Sequence, residues 1–292
     1  MSEEAKLLGK SISYPKSYSP EILVAVPRSL NREIYGIYEP DKLFCGYDVW
    51  HAYEASFLLN NGMPVTGILK IVYPSTSKFI VESKSLKLYL GSYNMTSLGK
   101  NPEEGIAEFT QTIEKDLSCL LETPVKVYFH KTTPSLPPND FSEFEILENK
   151  EYTSDLRFSI YQEHPLYLSE NITTVPGELK VGSHLLKSNC KITSQPDWGT
   201  IYIHLKANRT PAPASLLKYI VSLRNENHFH EEICEMVYQR LYELFQPEIL
   251  VVTCLYTRRG GIDICPSRSS HPQYLPSHLL KPETLTTPAF RQ

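Results

Sequence analysis

Two stretches of this 292-residue chain are alike: Ser85-Leu86-Lys87-Leu88-Tyr89-Leu90-Gly91-Ser92-Tyr93-Asn94 and Ser215-Leu216-Leu217-Lys218-Tyr219-Ile220-Val221-Ser222-Leu223-Arg224-Asn225. Each is followed by a phenylalanine and then by an amphipathic segment, residues 109–121 in the first case and 229–245 in the second. In the second segment apolar residues recur at three- and four-residue spacing, as one face of a helix requires. A repeat on this scale predicts two copies of one structural unit.

Runs typical of β-strands flank both copies. Residues 65–73 and 200–205 precede them, and residues 125–129 and 248–256 follow them. Each half therefore predicts the order strand, strand, helix, helix, strand, strand. Pairs of hairpins around helices favour an α+β fold with antiparallel sheets.

Composition limits the classes of protein to consider. A hydrophobic content of 41% supports a packed core, while the net charge of −4 gives no strong bias toward nucleic acid or an anionic membrane. The longest apolar run, residues 249–256, is far shorter than the ~18 residues of a membrane helix and predicts a buried strand. Residues 1–10 are charged and lack a secretory apolar region, so we expect a cytoplasmic protein.

The cysteines indicate free thiols. The six are Cys45, Cys119, Cys190, Cys234, Cys254 and Cys265, and none forms a CxxC pair. In a reducing compartment we expect most of them to be buried and unpaired.

The repeat and the composition together suggest four regions. We predict a first domain over residues 15–130, a proline-containing and acidic linker over 131–180, and a second domain over 181–270. Residues 271–292 form a proline-rich tail that we expect to be irregular and to dock on a neighbouring molecule.

One cysteine has a suggestive context, Lys187-Ser188-Asn189-Cys190-Lys191-Ile192-Thr193-Ser194-Gln195-Pro196-Asp197-Trp198. Nearby positive charge lowers the pKa of a thiol and favours the nucleophilic thiolate. Asp197 is a candidate proton donor, and packing against Trp198 would raise its pKa as that role requires. The plainer alternatives are a buried structural cysteine and a carboxylate in a turn, since Gln-Pro-Asp-Trp-Gly favours a turn.

Three further motifs carry charged residues beside predicted elements. Val81-Glu82-Ser83-Lys84-Ser85 reads as a strand-to-helix connection, and Phe229-His230-Glu231 opens a predicted helix, where the dipole favours acids. Arg258-Arg259-Gly260-Gly261 follows a predicted strand and reads as a hairpin turn.

Taken together, the Cys190, Glu82 and His230 motifs make the chain resemble the NADPH-dependent 7-cyano-7-deazaguanine reductases over roughly residues 15 to 270. That family reduces a nitrile to an amine on the route to the modified tRNA base queuosine. The resemblance implies two tandem tunnelling-fold (T-fold) domains, with antiparallel sheets and helices on one face, assembled into a homodimer. It also implies NADPH as the cofactor, a small deazapurine as the substrate, and no direct contact with nucleic acid or membrane.

The same resemblance implies the site residues. Cys190 would form a covalent thioimide with the nitrile carbon, and Asp197 would donate the proton. Residues implied to bind the deazaguanine are Val81, Glu82, Ser83, His230 and Glu231. Residues implied to contact NADPH are Ser83, Lys84, Arg259 and Gly260. No metal ligand is implied.

Two other classes of function stay open from the residues. GTP cyclohydrolases share the T-fold and use zinc, and His230, Cys234 and Cys190 could supply ligands. A non-catalytic purine-binding scaffold is the other alternative. A Rossmann dehydrogenase is disfavoured because no GxGxxG occurs.

Overall fold

A computed structural model describes residue 15, residues 17–131 and residues 139–292. The predicted features of residues 1–10, together with Pro134, Pro137 and Pro138 of the linker, lie outside this part of the chain. Its strands, in chain order, are β1 (Ala25–Pro27), β2 (Cys45–Leu58), β3 (Pro64–Pro74), β4 (Phe79–Val81), β5 (Lys126–His130), β6 (Glu145–Ile146), β7 (Gly177–Asn189), β8 (Pro196–Ala207), β9 (Ile249–Tyr256) and β10 (Ile262–Ser269). Its α-helices are α1 (Ser29–Arg32), α2 (Pro40–Leu43), α3 (Ser83–Gly91), α4 (Pro102–Leu121), α5 (Pro213–Ser222), α6 (His230–Phe245) and α7 (Ser277–Leu280).

A single eight-stranded sheet runs through both halves in the order β5-β3-β2-β10-β9-β8-β7-β6. All its pairings are antiparallel except the short one between β6 and β7. The halves meet where β2 pairs with β10, for example at His51 and Asp263. The predicted α+β class with antiparallel sheets is confirmed.

The second half follows the predicted order of elements: β7, β8, α5, α6, β9 and β10. β9 has the bounds expected from the apolar run, and all its residues are buried.

The first half departs from the predicted order after β5. Its β2, β3, α3, α4 and β5 match expectation, but the next strand, β6, joins β7 at the opposite edge of the sheet. Within the described ranges no sixth element completes the first half.

Four helices cover one face of the sheet. On α4, Phe109, Ile113, Leu117 and Leu121 recur at four-residue spacing and are fully buried against β2 and β3. On α5 and α6 the apolar positions pack against β7, β8 and β9 in the same way. Both halves therefore show the T-fold arrangement of antiparallel strands with two helices on one face.

The C-terminal tail covers the other face. Leu279 and Ala289, together with Phe141, pack onto apolar residues of the sheet that point away from the helices: Val49, Val72, Tyr202, Leu255 and Cys265. Lys70 is fully buried beneath the tail, and its Nζ donates to the carbonyl oxygens of His278, Lys281 and Thr284 at 3.4, 2.9 and 2.6 Å. The tail thus docks on its own sheet, where burial of apolar side chains and these hydrogen bonds hold it.

Across the described residues, no helix is both long and apolar enough to cross a bilayer.

Candidate functional site

A cavity of about 350 Å³ opens where the two halves meet. The junction of β4 and α3 forms one wall, and the β7–β8 hairpin, the start of α6 and the β9–β10 turn form the other. Every site residue predicted from the sequence lines this cavity: Val81, Glu82, Ser83, Lys84, Cys190, Asp197, His230, Glu231, Arg259 and Gly260.

The β7–β8 hairpin places Cys190 and Asp197 on the same wall. Cys190 directly follows β7 and is half-buried; its N–H donates to the carbonyl of Gln195 at 2.8 Å, and its carbonyl accepts from the N–H of Ser194 at 2.9 Å. Asp197 lies on β8 directly opposite Ser188 of β7. The turn predicted at residues 195–199 is wrong: the chain reverses over residues 191–193 and re-enters the sheet at Pro196.

The lysines on either side of Cys190 are bonded to other groups. The Nζ of Lys187 donates to the Oδ1 of Asn189 and the carbonyl of Arg224, at 2.6 and 2.5 Å. The Nζ of Lys191 pairs with the Oε1 of Glu232 at 2.9 Å. The two lysines are therefore close to Cys190 in the sequence, but this alone does not place their charges at its thiol.

Asp197 is a buried carboxylate between two basic groups. Its side chain is 2% exposed, its Oδ1 accepts from Nη1 of Arg259, and its Oδ2 lies 3.6 Å from Nε2 of His230. Burial raises the pKa of this carboxyl, but hydrogen bonds and charge from His230 and Arg259 outweigh it and leave the pKa below the usual value. The predicted raised pKa is therefore wrong, because a histidine and an arginine that are distant in the sequence both reach the carboxylate.

Glu231 is the second buried carboxyl of the cavity. It is 1% exposed, and its Oε1 has no hydrogen-bond partner among the described residues. Burial and the neighbouring charge of Asp48 raise its pKa to about 8, against the opposing effect of Arg28 and Arg268. Those two guanidinium groups bind Asp48 directly, so Glu231 can accept hydrogen bonds from a ligand in the cavity once it has lost its proton.

His228 lines the cavity but was not singled out from the sequence. Its ring lies between the carboxylates of Glu226 and Glu232, at 3.5 and 3.2 Å. Burial alone would lower its pKa, but these two partners raise it to about 9. Its position just before the Phe229-His230-Glu231 motif was the only available signal.

Glu82 caps the start of α3 and also lines the cavity. It precedes α3, and its two carboxylate oxygens accept the backbone N–H groups of Lys84 and Ser85 at 3.0 and 2.6 Å. These bonds satisfy donors that a helix start leaves unpaired and fix the carboxylate at the cavity. The predicted strand-to-helix connection is confirmed, since β4 ends at Val81 and α3 begins at Ser83.

Comparisons with known proteins identify the family. A family profile described as "Nitrile reductase, 7-cyano-7-deazaguanine-reductase N-term" matches residues 14–129, and one described as "QueF-like protein" matches residues 196–274. The chain is 38% identical to the NADPH-dependent 7-cyano-7-deazaguanine reductase of Acinetobacter baumannii (strain ACICU), over 94% of this chain and 97% of that protein. This chain belongs to the NADPH-dependent 7-cyano-7-deazaguanine reductase family.

Two further proteins are similar to this chain over different shares of its length. The reductase of the same name from Coxiella burnetii (strain Dugway 5J108-111) is 39% identical over 93% of this chain and 94% of its own length. A solved structure, the apo form of the archaeosine synthase QueF-Like, has 18% identity and a TM-score of 0.29, covering 34% of this chain and 97% of that one.

The cavity rim suits the phosphates of the cofactor named for this reductase family. Lys84, Lys87 and Arg259 bring three cations to the cavity, and such groups bind phosphate oxygens strongly. Gly260 has φ +57°, and a Cβ there would lie 2.7 Å from the Nζ of Lys87, so the β9–β10 turn approaches this lysine closely. Lys87 was missed from the sequence, although it lies one helical turn after Ser83 and therefore on the same face of α3.

The ligands of the zinc alternative do not come together as a set. Cys234 is buried in the core of the second half, where its Sγ donates to the carbonyl of Val252 at 3.3 Å. In residues 17–131 and 139–292, the group with ligand atoms close enough to share an ion is His51, Asp263 and Cys265. None of these three lines the reductase cavity.

Proposed function

We propose that this chain uses NADPH to reduce the nitrile of 7-cyano-7-deazaguanine to the aminomethyl group of 7-aminomethyl-7-deazaguanine, in queuosine biosynthesis. One observation carries the proposal. A cysteine and an ionised aspartate on one hairpin share a cavity with a buried glutamate that has an unpartnered oxygen. These are the three groups that nitrile addition and recognition of a guanine-like base require.

Glu231 binds the base. A guanine-like edge presents a ring N–H beside an exocyclic amine, and a carboxylate offers two acceptor oxygens at matching spacing. Because Glu231 is almost fully buried, these bonds form away from water and discriminate against bases that lack the two donors. His230 beside it, and Val81, Glu82 and Ser83 on the facing wall, complete the pocket.

Cys190 and Asp197 carry out the addition. The Sγ of Cys190 bonds to the nitrile carbon, and the carbon–nitrogen triple bond becomes the double bond of a thioimide. Asp197, ionised in the free protein, accepts the thiol proton and passes it to the nitrile nitrogen, so the step neither gains nor loses atoms.

The two reductions that follow require the residues of the cavity to hold both the cofactor and the intermediates. NADPH supplies hydride when bound, and Ser83, Lys84, Arg259 and Gly260 are the groups placed to hold it. Asp197 delivers a proton to the nitrogen, and the Cys190 sulfur leaves. Glu231 keeps the resulting imine in the cavity until the second reduction.

The chain acts as a cytoplasmic homodimer with no nucleic-acid partner. Support for the compartment comes from its six cysteines, all of which are free thiols. Support for association comes from β5, an edge strand of the sheet whose outer side has no partner strand in the described residues. The net charge of −4 does not favour nucleic acid. Sedimentation of the full chain tests the assembly, and a monomer would contradict it.

Intact-protein mass spectrometry tests the function. Incubation with 7-cyano-7-deazaguanine in the absence of NADPH should add the whole mass of the nitrile to the protein, because addition expels no leaving group. Cys190→Ala should show no gain. Cys45→Ala, which removes a similarly half-buried thiol outside the cavity, is the matched control and should form the adduct. Absence of an adduct in the parent protein would contradict the covalent mechanism.

A further inference from the structure

Arg259 lines the cavity together with Asp197 and is bonded to it. It lies in the β9–β10 turn, 62 residues from Asp197 in the chain, and one arm of its guanidinium donates to the Oδ1 of that carboxylate. The other arm donates to the Oε1 of Gln195 at 2.5 Å. The Arg259 side chain is 36% exposed and that of Asp197 only 2%, so the arginine reaches solvent while the carboxylate it binds is buried.

We infer that Arg259 couples cofactor binding to proton transfer: it holds Asp197 in the free protein and moves to a phosphate of NADPH when the cofactor binds. The inference rests on the proposed function and adds a positioning role for Arg259. It makes this arginine the link between the cofactor rim and the proton-transferring carboxylate.

The geometry makes the two tasks of Arg259 compete. A guanidinium binds carboxylate or phosphate best through two parallel N–H groups, and both arms of Arg259 are occupied on the β7–β8 hairpin. Lys84 and Lys87 line the same cavity, and Lys87 lies against Gly260, the residue that follows Arg259. A phosphate bound by these lysines would therefore sit beside the turn that carries Arg259 and would attract its guanidinium.

The move changes what Asp197 can do. A carboxylate bound to a guanidinium stays ionised, so Asp197 is free to take up the Cys190 proton in the addition step, but it is rarely protonated and therefore seldom available as a donor afterwards. Once Arg259 leaves, the buried carboxylate holds a proton more strongly and can deliver it to nitrogen as hydride adds to carbon. That proton is drawn from solvent. His230 remains 3.6 Å away, and Lys187 and Tyr256 are the other titratable groups that interact with Asp197.

Binding of NADP⁺ alone, with no nitrile present, tests the competition. In Asp197→Asn the arginine is released from its charged partner, so NADP⁺ should bind about tenfold more tightly than to the parent protein, the effect of one charge-assisted hydrogen bond. Removing a negative charge would by itself favour an anion, so the same substitution is repeated in Arg259→Gln. If the tightening persists in the double variant, or is absent in Asp197→Asn, the inference is wrong.

The pH dependence of adduct formation gives a second readout. NADP⁺, which cannot donate hydride, should raise the apparent pKa on the acidic side of the rate profile by about one unit or more. Arg259→Gln should show the raised value without NADP⁺ and no further change with it. Arg258→Gln is the matched control, because Arg258 stacks on the ring of Tyr53 with its Cζ 3.7 Å from the ring centroid. An unchanged profile in Arg259→Gln would overturn the coupling. The NADP⁺ titration needs no nitrile, so failure of the proposed nitrile chemistry and failure of this inference are distinguishable.

Discussion

Glu231 and Glu235 lie one helical turn apart on α6, are both buried, and have pKa values shifted in opposite directions. Burial raises the pKa of each carboxyl. At Glu235 the guanidinium groups of Arg268 and Arg32 outweigh burial and lower the pKa to about 2. At Glu231 burial and Asp48 prevail and raise it to about 8. Glu235 therefore stabilises the fold through its ion pairs, whereas Glu231, one turn earlier on the same helix, is left available for a ligand.

The first prediction concerns the proton on Glu231. This carboxyl is mostly protonated at neutral pH, and it must lose its proton to accept two N–H donors. We expect affinity for the nitrile to fall by about tenfold per pH unit below about pH 8 and to level off above it. Calorimetry in buffers of different ionisation enthalpy should show release of about one proton at neutral pH. The control is Glu231→Gln, in which this pH dependence should vanish; a parent affinity independent of pH would contradict the role.

The second prediction separates binding from addition. Cys190→Ala should still bind 7-cyano-7-deazaguanine reversibly, because Glu231 is intact. Glu231→Ala loses charge-assisted hydrogen bonds worth about 1.5–3 kcal/mol and should bind about tenfold to a hundredfold more weakly. Asp197→Asn should bind the base but form the adduct slowly. Calorimetric titration beside intact mass measures both properties, and full affinity in Glu231→Ala would show that the base binds elsewhere.

The third prediction concerns stability. Glu235→Gln removes the buried negative charge that Arg32 and Arg268 share, although Arg268 keeps its ion pair with Asp48, and it should destabilise the fold by about 3–5 kcal/mol in denaturant unfolding. Glu243→Gln, at a half-exposed site on the same helix, should change stability by about 0.5 kcal/mol or less.

The same ion pairs predict how stability varies with pH. Because the pKa of Glu235 is depressed from 4.5 to about 2 on folding, its contribution is present above pH 4.5 and is lost as the pH falls toward 2. Glu235→Gln should lack this part of the acid dependence. Equal acid sensitivity in parent and variant would mean that other carboxyls dominate.

The fourth prediction concerns the tail. Lys70→Met removes the buried ammonium that binds three tail carbonyls, so residues 278–284 should exchange amide hydrogens faster while the helices of the other face stay protected. Lys126→Met, an exposed position on the neighbouring strand β5, should leave tail exchange unchanged. Parental exchange rates in Lys70→Met would show that apolar packing alone holds the tail.

The fifth prediction concerns electrons. A nitrile lies two reductions above an amine, so two NADPH should be oxidised for each 7-aminomethyl-7-deazaguanine formed. Absorbance of NADPH and chromatography of the product give the ratio. A ratio of one, or the appearance of free imine or aldehyde, would rule out the retained intermediate.

Local sequence patterns were enough for most of the elements, whereas the candidate site residues came from the resemblance to a known family. The apolar run at β9 and the three- and four-residue spacing of apolar residues on α6 predicted elements that the structure contains, because such patterns report which residues of an element are buried. The Glu82, Cys190, His230 and Arg259 motifs all line one cavity, because each stands at the end of an element that the fold brings to the same place.

The pKa values of the buried carboxyl groups and the segments that cover the sheet were decided by the tertiary structure alone. The sequence suggested a raised pKa for Asp197, but His230 and Arg259, both distant in the sequence, lie beside the carboxylate and lower it. The displacement of β6 to the far edge and the docking of the tail over Lys70 depend on which surfaces remain uncovered after the sheet has formed. Periodicity reports a residue's own environment along one element, whereas a pKa or a docked segment depends on through-space neighbours that only the folded chain defines.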